Sequence, residues 1–358
     1  MAYSQVDIFG PNSLLVALRT FAAANGWTVL VDTDDLPIDG TDTSDGKRLV
    51  IQSPSGDTYA HFRAANGKNI FTTHATAGYR YGLGLVCSSG FTETPPSGKW
   101  FDQGGATKNA AGQVVGVGIP IRSDGAAPLK AYFNHITSPS EMIILSVELF
   151  PGFYQHMAVG EIQKIGNWTG GTLYSASCSS SKMFPTSFAQ GTLEATCGHL
   201  FGVNADSNTY LRANIDAAPL RIPEVLWAGC APSTGFGYTG KRIALSVVNA
   251  SALATMPKIP HYGYLQSQNS SDPGRNVNTL NCISVNLPIA IYVLRDPDGL
   301  ENYSQCGYVP GVYCISTRNV APSSVYSVDY PSSGVNYQAF PQTIRGGLFG
   351  YDGLSIKQ

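Results

Sequence analysis

The sequence predicts a mainly β protein, an antiparallel β-sandwich or barrel-like body with a small amino-terminal helix-plus-meander lobe. Three observations predict it. Among 358 residues are 39 Gly, 22 Pro, 19 Tyr and 15 Phe, a composition that favours turns and pleated surfaces. Charged residues make up only 13%, against about 25% in ordinary globular chains, which argues against a helical bundle or coiled coil. From Gly78 onward, short apolar runs alternate with Gly, Pro and Ser punctuation and no helical crossover intervenes, so pairing should be mostly antiparallel.

The elements follow in order. Asn12-Ser13 ahead of Leu14, Leu15, Leu18, Phe21 and Ala22 has helical spacing, with Asn or Ser to cap the first turn and Asn25-Gly26 to end the last. Short strands are expected at Trp27–Val31, Arg48–Gln52, Thr58–Arg63 and Asn69–Thr73, giving a lobe over residues 1–75. The antiparallel body should span 76–319. Within it, Met142–Phe150 alternates Ile143, Leu145, Val147 and Leu149 on one face, and Pro151-Gly152 turns it into Phe153–Val159. Pro-Gly favours a type II turn, whose twist suits a tight hairpin poorly, so a splayed hairpin or a corner is expected. Leu265–Thr279 reads as a long loop, and Cys282–Arg295 as strand broken at Pro288. Residues 320–358, rich in Pro, Ser, Gly and Tyr with little periodicity, are expected as an extended arm.

Charge and cysteine content exclude several classes. The net charge is −2 and basic residues never run beyond two together, so no footprint for a phosphate backbone is visible and direct nucleic-acid binding is not expected. No apolar run reaches membrane-spanning length, and MAYSQVDIFG lacks the pattern of a secretion signal, which predicts a soluble, unsecreted chain. Seven cysteines, Cys87, Cys178, Cys197, Cys230, Cys282, Cys306 and Cys314, exclude a complete intrachain disulfide framework, with Cys306 and Cys314 the favoured local pair.

Motifs that could carry chemistry fall short. Gly235-Phe-Gly-Tyr-Thr-Gly240-Lys241 has phosphate-loop spacing, but Arg242 stands where Ser or Thr would hold magnesium, and Ile243 onward reads as strand where a helix must begin. The loop with Asp32, Asp34, Asp35, Asp39, Asp42 and Asp45 lacks the calcium-loop spacing and closing Glu. Cys197-Gly-His199 is half a zinc site at best. Asp102, Glu148 and Glu161 cannot be paired from sequence. Tyr79, Tyr81, Trp100, Trp168, Tyr174, Trp227 and Tyr238 could stack on sugars, though strands recruit aromatics for cores and interfaces first. No catalytic, cofactor or metal residue is therefore assigned. His135, His156 and Glu148 are read as structural, with Glu148 facing Gln155 and His156 facing Val147 across a simple hairpin.

The stretch Ala131–Ile136, then Ile143–Phe150, Pro-Gly, Tyr154–His156 and Gly160-Glu-Ile-Gln-Lys-Ile-Gly-Asn-Trp168-Thr-Gly-Gly171 resembles a family of structural proteins of tailed bacteriophages. Leu14–Trp27 is similar to that family's amino-terminal helix, and Gly307-Tyr-Val-Pro-Gly311 with Phe340-Pro341 to its carboxy-terminal pattern. The resemblance implies a non-enzymatic virion component made in the bacterial host cytoplasm. Its partners would be copies of itself in a ring at the neck or collar and other head–tail proteins. A baseplate part or a receptor- or glycan-binding tail protein is the alternative, and a polysaccharide hydrolase a third possibility.

Overall fold

The computed structural model describes residues 1–33, 46–66, 81–106, 114, 116–122, 127–176, 178–179, 210–215, 218–219, 242–245, 286–294, 303–316, 320–328, 334–341 and 352–358. The chain begins with β1 (Ala2–Ile8), α1 (Pro11–Ala24), β2 (Thr28–Thr33), β3 (Arg48–Gln52), β4 (Tyr59–Asn66), β5 (Tyr81–Ser88) and β6 (Val117–Pro120). It continues with β7 (Leu129–Ile136), β8 (Met142–Phe150), β9 (Phe153–Glu161), β10 (Gln163–Lys164), β11 (Gly170–Ala176), β12 (Cys178–Ser179), β13 (Tyr210–Ile215) and β14 (Ala218–Pro219). The last strands are β15 (Arg242–Leu245), β16 (Leu287–Leu294), β17 (Tyr303–Ser316), β18 (Val325–Val328), β19 (Val335–Pro341) and β20 (Asp352–Lys357). Every pairing among the described strands is antiparallel, in a mainly β architecture with one helix.

Three sheets result. The central one runs β1-β7-β8-β9-β11-β13-β14, the amino-terminal one β12-β6-β5-β4-β3-β2, and the carboxy-terminal one β15-β16-β17-β20-β19-β18 with β10 beside β17. The central sheet is covered on both faces. Ala131, Phe133, Leu145, Val147, Met157 and Val159 pack with α1 and the amino-terminal sheet in one apolar core. On the other face, Tyr132, Tyr154 and His156 ring Phe340 of β19. Burial on both faces explains why β7, β8 and β9 read as nearly unbroken runs rather than strict alternation.

The helix starts two residues ahead of its expected caps. Gly10 is the N-cap and Pro11 takes the first helical position, where its missing N–H costs nothing. Ser13 Oγ reaches back to accept from the N–H of Phe9 and Gly10 (2.7 and 3.0 Å), while Asn12 Oδ1 accepts from Lys47 N–H. The end falls as expected: Asn25 caps it and Gly26, at φ +85°, reverses the chain.

Two expected boundaries are corrected. β1 pairs with β7 and β4 pairs with β5, so hydrogen-bonded sheets run across residue 75, and the lobe is woven into the body. The described residues of 320–358 do not form an extended arm: β18, β19 and β20 are strands of the carboxy-terminal sheet, and Phe340, Leu354 and Ile356 are fully buried. Pro and Ser between these short strands dilute the alternation that would mark them. Asn69–Thr73 and Leu265–Thr279 lie outside the described residues.

The block Gly160–Gly171 turns the chain from the central sheet toward the carboxy-terminal one. Gly160 sits in β9 where a Cβ would stand 2.1 Å from Glu141 O and 2.6 Å from Met142 Cα, so only glycine fits the strand spacing. Trp168 then covers the corner, its indole N–H donating to Ile165 O and Cys306 O with Lys164 Nζ over the ring.

Candidate functional site

The β8–β9 hairpin that carries most of the singled-out residues neither splays nor turns a corner. Phe150 pairs with Phe153 around Pro151-Gly152, with Gly152 at φ +78° as the second position of a type II turn requires. The twist mismatch is absorbed by a bulge: the register shifts between Glu148 and Phe150, which leaves Leu149 as the extra residue. Every pair below it therefore slips by one. Glu148 faces Tyr154 rather than Gln155, Val147 faces Gln155, and His156 faces Ser146 rather than Val147.

That slip builds a polar seam on the face opposed to the carboxy-terminal sheet. Glu148 Oε1 accepts from Gly152 N–H (2.9 Å) and the Tyr154 hydroxyl (3.2 Å), while Oε2 accepts from Tyr132 (3.4 Å). Burial foremost, with the Glu148 charge, pushes both phenols up, so they stay O–H donors. The carboxylate thereby fixes the hairpin tip, where Phe150 is 44% exposed.

Deeper in the seam, Ser146 Oγ and His156 Nδ1 lie 2.8 Å apart. The two atoms share a hydrogen bond whose donor depends on the tautomer, and the Pro341 backbone partly opposes the effect of burial on the ring. Burial pushes this imidazole down to about 4. Although Ser beside His can serve as nucleophile and base, both side chains are sealed beneath Phe340, Ser146 at 0% and His156 at 1% exposure. No substrate atom reaches Oγ in this state, and the nearest seam carboxylate, Glu148, is held by its tyrosines. The pair fastens two strands together.

The other histidines stand elsewhere. His135 faces the helix side of the central sheet, its Nε2 2.5 Å from Glu141 Oε2 and 3.4 Å from Trp27 Nε1. His61, on the outer face of the amino-terminal sheet, meets Ser88 Oγ at 2.7 Å and stacks on Phe91. Burial, with Arg48 nearby, pushes it down to about 3. His74, His199 and His261 lie outside the described residues.

The two depressed imidazoles set a pH dependence. Between the ordinary value near 6.5 and about 4, the unfolded chain binds protons that folded His61 and His156 refuse. Stability from these groups is thus present above pH 6.5 and lost as pH falls, at up to about 1.4 kcal/mol per pH unit for each. Urea unfolding measured from pH 7 to pH 5 should show this decline, and His156→Gln should remove one proton from its slope. A flat profile for the unmodified chain would mean that the folded imidazoles take up protons freely.

The remaining candidates do not converge. Glu161 accepts from Ser55 and, at 3.4 Å, from Ser53, anchoring the β3–β4 turn to the far end of β9. Seven residues of strand, roughly 23 Å, separate it from the Glu148–Tyr154 tip. Asp32 pairs with Arg19 at 3.2 Å, while Asp34 to Asp45 lie outside the described residues. So do Cys197, His199 and the Gly235–Lys241 stretch, though Arg242–Leu245 is strand β15 as expected. Of the aromatic set, Trp100 and Tyr174 are buried and Tyr81 and Trp168 half-buried on separate elements; Tyr79, Trp227 and Tyr238 are outside the description. The Cys306–Cys314 pair does not form. Both sit on β17, and across its bulged register Cys314 is opposite Leu287 while Cys306 lies beside Ile291, four residues along β16 or roughly 13 Å, beyond disulfide reach; the buried Cys306 thiol contacts Ile291 O instead.

Sequence reasoning missed the tyrosine–Glu148 cluster and the edge strand β1. Either needed the bulge or the partner strand to be known. No helix among the described residues is long and apolar enough to cross a membrane. Compared with known proteins, the chain matches no protein-family model, and no curated protein matches it either.

Proposed function

We propose that this chain is a non-enzymatic structural component of a tailed-bacteriophage virion. In this reading it repeats around the neck or collar in a ring that joins head to tail, and it is made in the host cytoplasm. One observation carries the proposal: the block that bears the family resemblance, Ala131 to Gly171, is the middle of the molecule. It supplies most of β7, all of β8, β9 and β10 and the start of β11, and its polar groups are turned to internal fastening. A region that builds the frame suits a protein whose work is to hold shape and make contacts. Low charge and plentiful tyrosine suit extensive subunit interfaces.

Electron-microscopic reconstruction of the particle, with antibody or tag labelling of this chain, tests the proposal. Density in a ring at the head–tail junction is the expected result. Density at the adsorption end would make it a baseplate or receptor-binding part, and absence from the particle would end the virion reading. Cleavage of host polysaccharide by the purified chain would end the non-enzymatic one.

A further inference from the structure

Seven strands have an unpaired edge among the described residues, and six are short there or blunted. Within the described residues β10, β12 and β14 show two residues each, and β15 and β18 four. β2 has six, but it is bulged between Val29 and Val31 and carries the Asp32–Arg19 ion pair. β1 is different. Its seven residues pair with β7 without a register shift, and it holds no Pro, Lys or Arg. A long, regular edge without these devices is a template for another strand.

The side chains say which strand fits. Even-numbered residues of β1 turn toward the helix, while Tyr3, Gln5 and Asp7 stand exposed on the opposite face, with Phe9 54% exposed just beyond. Placed antiparallel to itself about a two-fold axis at Gln5, the strand sets Tyr3 opposite the second copy's Asp7, twice. The phenol O–H, which within one copy donates to Gln5 Oε1 at 3.3 Å and accepts from Gln338 Nε2, can turn its proton to that carboxylate, and Phe9 lies diagonal to the second copy's Tyr3, within aromatic reach. Asp7 never meets Asp7. Within each copy Asp7 is already opposite Lys130, and Lys130 opposite Glu148, so charges would alternate across the joined sheets.

We propose that β1 is a homodimerisation edge, at which two copies of this chain pair antiparallel about Gln5 and make their central sheets continuous. This goes beyond the virion reading and does not depend on it. A two-fold contact closes on itself, whereas a ring repeats a head-to-tail contact.

The full chain tests it by light scattering at increasing concentration, together with variants at the exposed Gln5. The unmodified protein should be a dimer at high micromolar concentration. Gln5→Lys and Gln5→Glu should each lose the dimer by setting like charges on the axis, while their mixture restores it. Under mild oxidation Gln5→Cys should cross-link to itself, with the unmodified chain as control. Tyr3→Cys should not, but should link to Asp7→Cys. A chain that stays monomeric, an oligomer indifferent to charge at position 5, or charge variants that fail to recombine would each overturn the proposal.

Discussion

A chain ended after Val320 should lose its native packing and become largely insoluble or protease-sensitive. The cut removes β18, β19 and β20, and with them the fully buried Phe340, Leu354 and Ile356. Each such side chain contributes about 1.5–3 kcal/mol on full burial, so these three alone approach the roughly 5–15 kcal/mol by which folded domains are stable. The loss also uncovers Tyr132, Tyr154 and His156, whose rings close on Phe340 at 5.2–5.8 Å. Phe340→Ala gives the graded form of the experiment, expected to cost about 3–5 kcal/mol. Near-UV circular dichroism and limited proteolysis would read both. A truncated chain that melts and resists protease like the full one would mean that these residues are a dispensable arm.

Leu18→Asp should destabilise the whole chain in one transition rather than free an amino-terminal lobe. Leu18 is 1% exposed in a core that α1 shares with the central sheet, where Phe21 stacks on Phe133 at 5.3 Å. A carboxylate there has no partner of opposite charge in that apolar cluster, and the expected loss is about 4 kcal/mol or more. Thermal unfolding followed by both far-UV dichroism and tryptophan fluorescence should shift downward together. If residues 1–75 melted first and left a body with its original transition, the lobe would be an independent unit.

What the sequence made legible follows burial. α1 was legible because one stripe is apolar and the other polar, and β7 to β9 because both faces are covered. β1 escaped notice because Ala-Tyr-Ser-Gln-Val-Asp-Ile alternates only between half-buried and exposed positions, with Ile8 alone fully inside. The pairing of Glu148 and His156 falls one residue from the simple-hairpin expectation, since no local signal marks Leu149 as the bulge; the turn chemistry points to a mismatch but not to its relief. The last strands carry little sequence signal because their apolar residues, Phe340, Leu354 and Ile356, are separated by Pro, Gly and Ser. For the candidate site, residue types were legible and their grouping was not. Whether His135 and His156 share a face depends on a register that only the folded sheet reveals.

The pairing of β1 with β7 also bears on how the chain is made. Gln5 waits for Tyr132, and at translation rates of about 5–20 residues per second that partner emerges roughly 6–25 s later. Throughout this interval the first strand lacks its partner, and α1 can lie only against β2 to β5 of the amino-terminal sheet as these emerge. Contacts so distant in sequence also slow folding after release, because the loop must close before they reward it. The first strand thus finds its partner only after β2 to β6 of the amino-terminal sheet have been made.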